Sequence, residues 1–411
     1  MKNQLSALMQ AKQIDAILVI GPAQHNPPMV YLTGGAHITD GHLFIVQGHD
    51  PLLVHYPMER DEAASTGLRT RSLDEYDYRK LLKAAQGDEA RYRVMLYKTI
   101  LAEQGFTSGN LAIYGLVDAG LAYATFTGLQ KELPNVNICK EAGESLLSQA
   151  RVFKDLEEIE HIRATGQATV AVVGRVADFL SSQRVKGHTL YKKDGLPLTV
   201  GDVKAKINLW IAELGYENPE QTIFAIGRDG GVPHSTGNPE DVIRLGVPIV
   251  FDIFPCEAGG GYFYDLTRTW CLGFATDETQ KLYEDVRRVF DQINQELAVG
   301  ERCNYYQELV CDLFEAMGYP TIRSDPKTPD GYIHSLGHGV GLDYHEAPWF
   351  RDSVEGGDTL QPNMVFTIEP GLYFPERGMG VRIEDTLWIS PQGKIEALAK
   401  YPYDLVLPVK S

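Results

Sequence analysis

The chain has 411 residues, enough for two or three domains at roughly 150 residues each, and its 44% hydrophobic and 23% charged residues exclude a disordered, collagenous or coiled-coil protein. Against 38 Lys and Arg stand 55 Asp and Glu, a net charge of −17. A surplus of acid on that scale repels phosphate backbones and anionic lipid, so neither nucleic acid nor a membrane is an expected partner and cations are.

From Met1-Lys2-Asn3-Gln4 the chain enters a stretch to Ala16 with polar residues every few positions, and the apolar run Ala16 to Ile20 is too short for a signal or membrane core. No later run reaches about 18 apolar residues, so a soluble, cytoplasmic protein is expected. Five cysteines (Cys139, Cys256, Cys271, Cys303, Cys311), an odd number without Cys-x-x-Cys spacing, indicate neither a disulfide framework nor a thiolate zinc site. Apolar runs at 16–20, 43–46, 52–55 and 111–114, with a helical segment near 78–104, predict a small α/β domain. Its histidines, His25, His37, His42, His49 and His55, lack spaced carboxylate companions and read as surface or packing residues.

Near position 150 the pattern changes. Val152 to Glu160 opens a long helix with Ile159, Ile162, Val170, Val173 and Val176 at helical spacing, which divides the chain into domains 1–150 and 151–411. Helices follow at about 199–214, led by a capping-box-like Thr199-x-x-Asp202, at 276–297 and at 304–317. Strand-like segments lie at 222–226, 247–254, 262–271, 364–368 and 381–389, so the second half is α+β. Gly259-Gly260-Gly261 reads as a hairpin turn, not a phosphate loop.

The chemistry gathers on these strands. Asp252 ends an apolar strand and Asp265 lies in the next; paired antiparallel, the two can project from one face, where like charges in an apolar setting call for a cation. His334, His338 and His345 fall within twelve residues, among glycines that let backbone approach a ligand closely. Glu369 ends a further strand, and Arg382, Glu384 and Thr386 share a face by period-two alternation, with Arg382 available as an ion-pair partner. Four carboxylates and one imidazole suit harder divalent ions, manganese first, with cobalt, iron and zinc also compatible. Two ions about 3.5 to 4 Å apart, sharing carboxylates and a water, are the natural count for such a set.

In this order of motifs the chain resembles the pita-bread metallohydrolases, a family that includes aminopeptidase P, Xaa-Pro dipeptidase (prolidase), methionine aminopeptidase and the metal-free creatinase. The resemblance covers about 150–405, and the first domain is similar to the creatinase-type one of the longer members. It implies Asp252, Asp265, His338, Glu369 and Glu384 as metal ligands, with Asp252 on one ion, His338 and Glu369 on the other, and Asp265 and Glu384 bridging. It also implies His234, in Gly230-Gly231-Val232-Pro233-His234, and His345 as catalytic histidines beside Glu369, with His334 and Arg382 on the substrate side. The aspartates stand two positions further apart than the family pattern, the extra residues falling within Phe254 to Gly261; an even insertion keeps strand parity.

The implied protein is an α+β enzyme, a creatinase-type domain followed by a pita-bread catalytic domain, that hydrolyses Xaa-Pro bonds of dipeptides or short peptides with two divalent ions, as a homodimer. Tyr332, Trp349 and Phe350 either wall a proline pocket or belong to the core. The competing readings are a hydrolase or lyase of a small non-peptide substrate and a non-catalytic binding module, the latter disfavoured because all five ligand positions are filled.

Overall fold

A computed structural model describes residues 4–141, 143–351 and 357–409; Met1 to Asn3, where the reading of the N-terminus begins, lie outside them. The chain divides into two compact units, Met1–Arg151 with Gly259–Gly261, and Val152–Ala258 with Tyr262–Ser411.

The first unit is built on a mixed six-stranded sheet in the order Arg69–Ser72, Leu52–His55, Gly41–Val46, Ala16–Gly21, Gly109–Gly115, Val136–Ile138. Ala16–Gly21 is buried at every position, as an inner strand covered on both faces must be. The single helix expected over 78–104 is two, Tyr78–Ala84 and Glu89–Glu103. Gln86 and Gly87 take left-handed φ values of 58° and 82°, and Asp88 restarts the helix by accepting the Arg91 N–H at 3.0 Å. Of the histidines, His42 and His55 are buried while His25, His37 and His49 are exposed. The His42 ring lies 3.2 Å from the Tyr97 hydroxyl, and His55 Nδ1 donates to the Tyr56 carbonyl at 2.8 Å.

The second unit carries a nine-stranded sheet. Its main path runs Ile223–Ile226, Ile249–Ile253, Leu266–Leu272, Glu384–Ile389, Val365–Ile368, Gly337–Gly339, Glu346–Phe350, antiparallel at every step. The long helix begins at Leu156 rather than Val152, because Asp155 and Glu158 close a reciprocal capping box at 2.9 Å each way. Thr199 and Asp202 form a second box at the head of Val200–Glu213. Helices Asp277–Glu296 and Cys303–Ala316 share a core with the sheet through Val286, Phe290, Ile293, Val310, Phe314 and Phe366. Tyr332 and Phe350 are fully buried in that core and wall no pocket; Trp349 is half-buried. All five cysteines are free thiols, and no helix among the described residues is long and apolar enough to cross a membrane.

The glycines that flank His338 are required by the sheet itself. A Cβ on Gly337 would stand 2.1 Å from the Thr367 carbonyl oxygen, and one on Gly339 2.1 Å from that of Ala347, so only glycine lets the neighbouring strands close. Gly339→Ala is therefore expected to destabilise the unit by roughly 1–3 kcal/mol, as backbone overpacking does, and to lower the calorimetric midpoint by several degrees.

Candidate metal centre

Strand register assembles the site. Asp252 stands directly across from Thr267, and Asp265 lies two residues before Thr267, one residue short of the strand that was expected to start at Tyr262. Opposed residues and residues two apart share a face, so Asp252, Asp265 and Thr267 point the same way. The next pairing sets Glu384 across from Thr267 and adds its side chain to that face. The glycine turn closes a separate small hairpin beyond the ladder, where Cys256 bridges Phe263. His338 occupies the middle of Gly337–Gly339, its N–H donating to Thr367 Oγ1 at 3.1 Å, and Glu369 follows Val365–Ile368.

These elements bring the five side chains to one place. Ligand atoms of Asp265, His338 and Glu384 lie within 4.8 Å of one another. His338 Nε2 is 3.2 Å from Glu369 Oε1 and 3.9 Å from Asp265 Oδ2, and the carboxyls of Asp252 and Asp265 adjoin. Arg382 brings one positive charge: it pairs with Asp252 and donates to the Tyr373 hydroxyl at 2.8 Å, the Pro233 carbonyl at 3.2 Å and Thr267 Oγ1 at 3.2 Å. Thr267 in turn donates to Glu384 at 2.6 Å.

One guanidinium does not neutralise four carboxylates. Burial, then the charges of Glu384, Asp252 and Glu369, hold the Asp265 carboxyl well above its ordinary range. Burial and the charges of Glu369 and Asp252 do the same to Glu384. Burial also works to raise Glu369, but the hydrogen bond and charge of His338, joined by His334 and Arg382, outweigh it and draw that carboxyl down to about 2.

The residues fit a metal. Asp252 Oδ1, Asp265 Oδ1 and Glu384 Oε1 are buried with no hydrogen-bond partner, a costly state for acceptor-only oxygens unless a cation meets them. His338 Nδ1 donates to the Gly339 carbonyl at 3.1 Å, so the proton shared with Glu369 is on Nε2, and its loss to an incoming ion would leave the Nε2 lone pair facing Glu369 and Asp265. That tautomer, held by a backbone carbonyl, is the one a metal-ligating imidazole adopts.

The remaining expected residues surround this core. The His345 ring lies 4.1 Å from that of His338, edge to face, on an exposed residue. His234 is also exposed, and its charge bears on both His334 and His345. His334 donates from Nδ1 to the Ser335 carbonyl at 2.7 Å and accepts at Nε2 from the Tyr373 hydroxyl at 3.1 Å. Desolvation lowers its pKa, with Glu369 opposing and Arg382 assisting. Arg382 was expected on the substrate side; its buried donors are instead engaged by Asp252, Tyr373, Thr267 and Pro233. Thr267 and Tyr373 were not singled out from the sequence. Thr267, two places from Asp265, was within reach of the alternation rule; Tyr373 lies on the strand Gly371–Phe374 and carries no local signal.

Three comparisons bear on the chain. A sequence model described as metallopeptidase family M24 matches residues 160–391. The Xaa-Pro dipeptidase of Pyrococcus furiosus is 27% identical over 402 residues, covering 96% of this chain and 97% of that one. Among solved structures, an X-Pro aminopeptidase from Thermotoga maritima MSB8 superposes with a TM-score of 0.76 at 21% identity, covering 99% and 100% of the two chains. A dipeptidase from Pyrococcus horikoshii OT3 superposes with a TM-score of 0.73 at 23% identity, covering 98% of each. At those identities the structural likeness speaks to the fold.

The charge crowding predicts how the metal-free protein responds to pH. The folded pKa of Glu384 lies above its unfolded value of about 4.3, so the folded state keeps the proton longer and loses stability as pH rises from there through the raised value. Glu384→Gln removes that loss. In chelated protein the variant's thermal midpoint should pull ahead of the parent's as pH rises above the ordinary carboxylate range, the gap widening until the raised pKa of Glu384 is passed. Parallel melting curves across that range would contradict the assignment of the strain to Glu384.

Proposed function

Because the chain belongs to metallopeptidase family M24, we propose that it is a metal-dependent peptidase hydrolysing Xaa-Pro bonds of dipeptides or short peptides. The observation that carries this reading is the meeting of Asp252, Asp265, His338, Glu369 and Glu384 from separate strands, three of them with buried oxygens lacking any partner. The near-full-length likeness to an Xaa-Pro dipeptidase supports the substrate class, and the pita-bread architecture with its N-terminal α/β domain agrees with it. The complete ligand set speaks against a non-catalytic module.

Asp252 would hold one divalent ion, His338 and Glu369 a second, and Asp265 and Glu384 both. The oxygen-rich donor set favours manganese, with cobalt, zinc and iron as substitutes. Bound there, such ions contribute Lewis acidity toward a water and the scissile carbonyl. The rest falls to the chain itself. Glu369, at the less buried end of the cluster, accepts the proton of the attacking water and returns it to the leaving proline nitrogen. His345 and His234, exposed beside the cluster, donate hydrogen bonds to the carbonyl oxygen as it gains charge. Arg382 keeps Asp252 ionised and oriented, and Tyr373 fixes the tautomer of His334, whose ring then borders the substrate. A homodimer, on the resemblance alone, and a cytoplasmic location, on the apolar runs and cysteine usage of the sequence, extend the same reading.

A peptide-length series with chelated and then manganese-, cobalt- or zinc-loaded protein tests the proposal. Loaded protein should release proline from Xaa-Pro substrates and chelated protein should not. Glu369→Ala and Asp265→Ala should abolish the release, and His345→Ala should lower kcat by about 10²- to 10³-fold, the cost of one lost oxyanion donor. Undiminished turnover by the Asp265 or Glu369 variant would refute the site.

A further inference from the structure

Resting on the role just given to His345, we propose that the buried ion pair between Lys154 and Glu346 is a positioning device that fixes this histidine against the metal centre. Lys154 lies in the short connection between helices Leu146–Val152 and Leu156–Ser181, and its N–H donates to the Asn363 carbonyl at 2.8 Å. Its side chain is 1% exposed and that of Glu346 7%. Glu346 directly follows His345, opens the strand Glu346–Phe350, and faces Gly339, the neighbour of His338.

The loop bearing His345, residues 340–345, lies directly on the pair. A Cβ at Gly341 would stand 2.3 Å from Glu346 Oε1 and 3.0 Å from Lys154 Cε, so the loop backbone touches both charged side chains. The Gly341 carbonyl accepts the Phe263 N–H at 2.8 Å, which ties the loop's near end, while its far end is the exposed His345 followed at once by the anchored Glu346.

Two charges buried side by side are a poor source of stability, since a neutral pair of the same shape commonly does as well. They are a good source of position. An ammonium and a carboxylate in a dry site are directional, so their pairing holds the backbone on either side in one geometry. His345, one residue away on an exposed loop end, inherits that geometry, and its ring stands 4.1 Å from the ring of His338. Lys154 and Glu346 are thus positioning residues, acting on the reaction through His345.

The test is the double variant Lys154→Met/Glu346→Gln, which removes both charges of the pair together. Manganese content and thermal midpoint should stay close to the parent's, while kcat on an Xaa-Pro dipeptide falls about tenfold or more and KM changes by less than about threefold. Independently of substrate, the His345 ring proton resonance of zinc-loaded protein, identified by its loss in His345→Gln, should shift or broaden. A double variant with parental kcat, or with an unmoved His345 resonance, overturns the proposal. Should the double variant not fold, Lys154→Arg, which keeps the charge but displaces it, carries the same test: a moved resonance supports the device and an unmoved one refutes it. If loaded parent protein releases proline from no Xaa-Pro peptide, the peptidase reading fails, and the resonance alone decides the positioning claim.

Discussion

Four carboxylates share one buried site in the second unit, held there by strand register and by the hydrogen bonds of Thr267 and Arg382. Coulomb repulsion between adjacent acids in a low-dielectric setting is strong enough to drive one or more of them to take up a proton unless a cation is supplied. Arg382 answers for Asp252 and His338 for Glu369, which leaves Asp265 and Glu384 with raised pKa values and buried, unpartnered oxygens. A fold does not keep such a pair for stability. Here the sheet holds together charges that packing alone would exclude, and a divalent ion would restore the balance.

The opposite face of the same strands shows what a settled charge pair looks like. Arg268, next to Thr267 and so pointing the other way, is 1% exposed and pairs with Asp385 at 2.8 Å, while donating to the carbonyls of Thr267 at 2.9 Å and Glu384 at 2.7 Å. Every charge there has its partner, and the carbonyls it grips belong to the residues that build the metal face. One side of the sheet is neutralised internally and holds the ladder in register; the other is left short of cations. That asymmetry separates a structural ion pair from a binding site more clearly than the presence of acids on strands does.

Much of this was legible in the residues because strand alternation is a rigid rule. Asp252 and Asp265 could be placed on one face by alternation across a pair of strands, and the added two residues between them left that parity intact, whereas the register that sets Glu384 beside them came only from the strand pairing. The apolar strands and the capping boxes are short-range features and could be read directly. What could not be read depends on contacts distant in sequence. The break at Gln86 and Gly87 rests on backbone conformation, the glycines beside His338 answer to neighbouring strands, and Arg382 turns inward because Tyr373, Pro233 and Asp252 meet it there. Tyr332 and Phe350 illustrate the same limit: an aromatic residue near a site reads alike whether it lines a pocket or fills a core. The Lys154–Glu346 pair spans 192 positions and leaves no trace in either local segment.

On the proposed function, the five side chains enclose a pair of divalent cations. Anomalous diffraction at the manganese edge from crystals grown with that metal tests it most directly. Two peaks per chain are expected, one against Asp252 and one against His338 and Glu369, with Asp265 and Glu384 between them. A map with no anomalous density among these residues, at full metal loading, would contradict it.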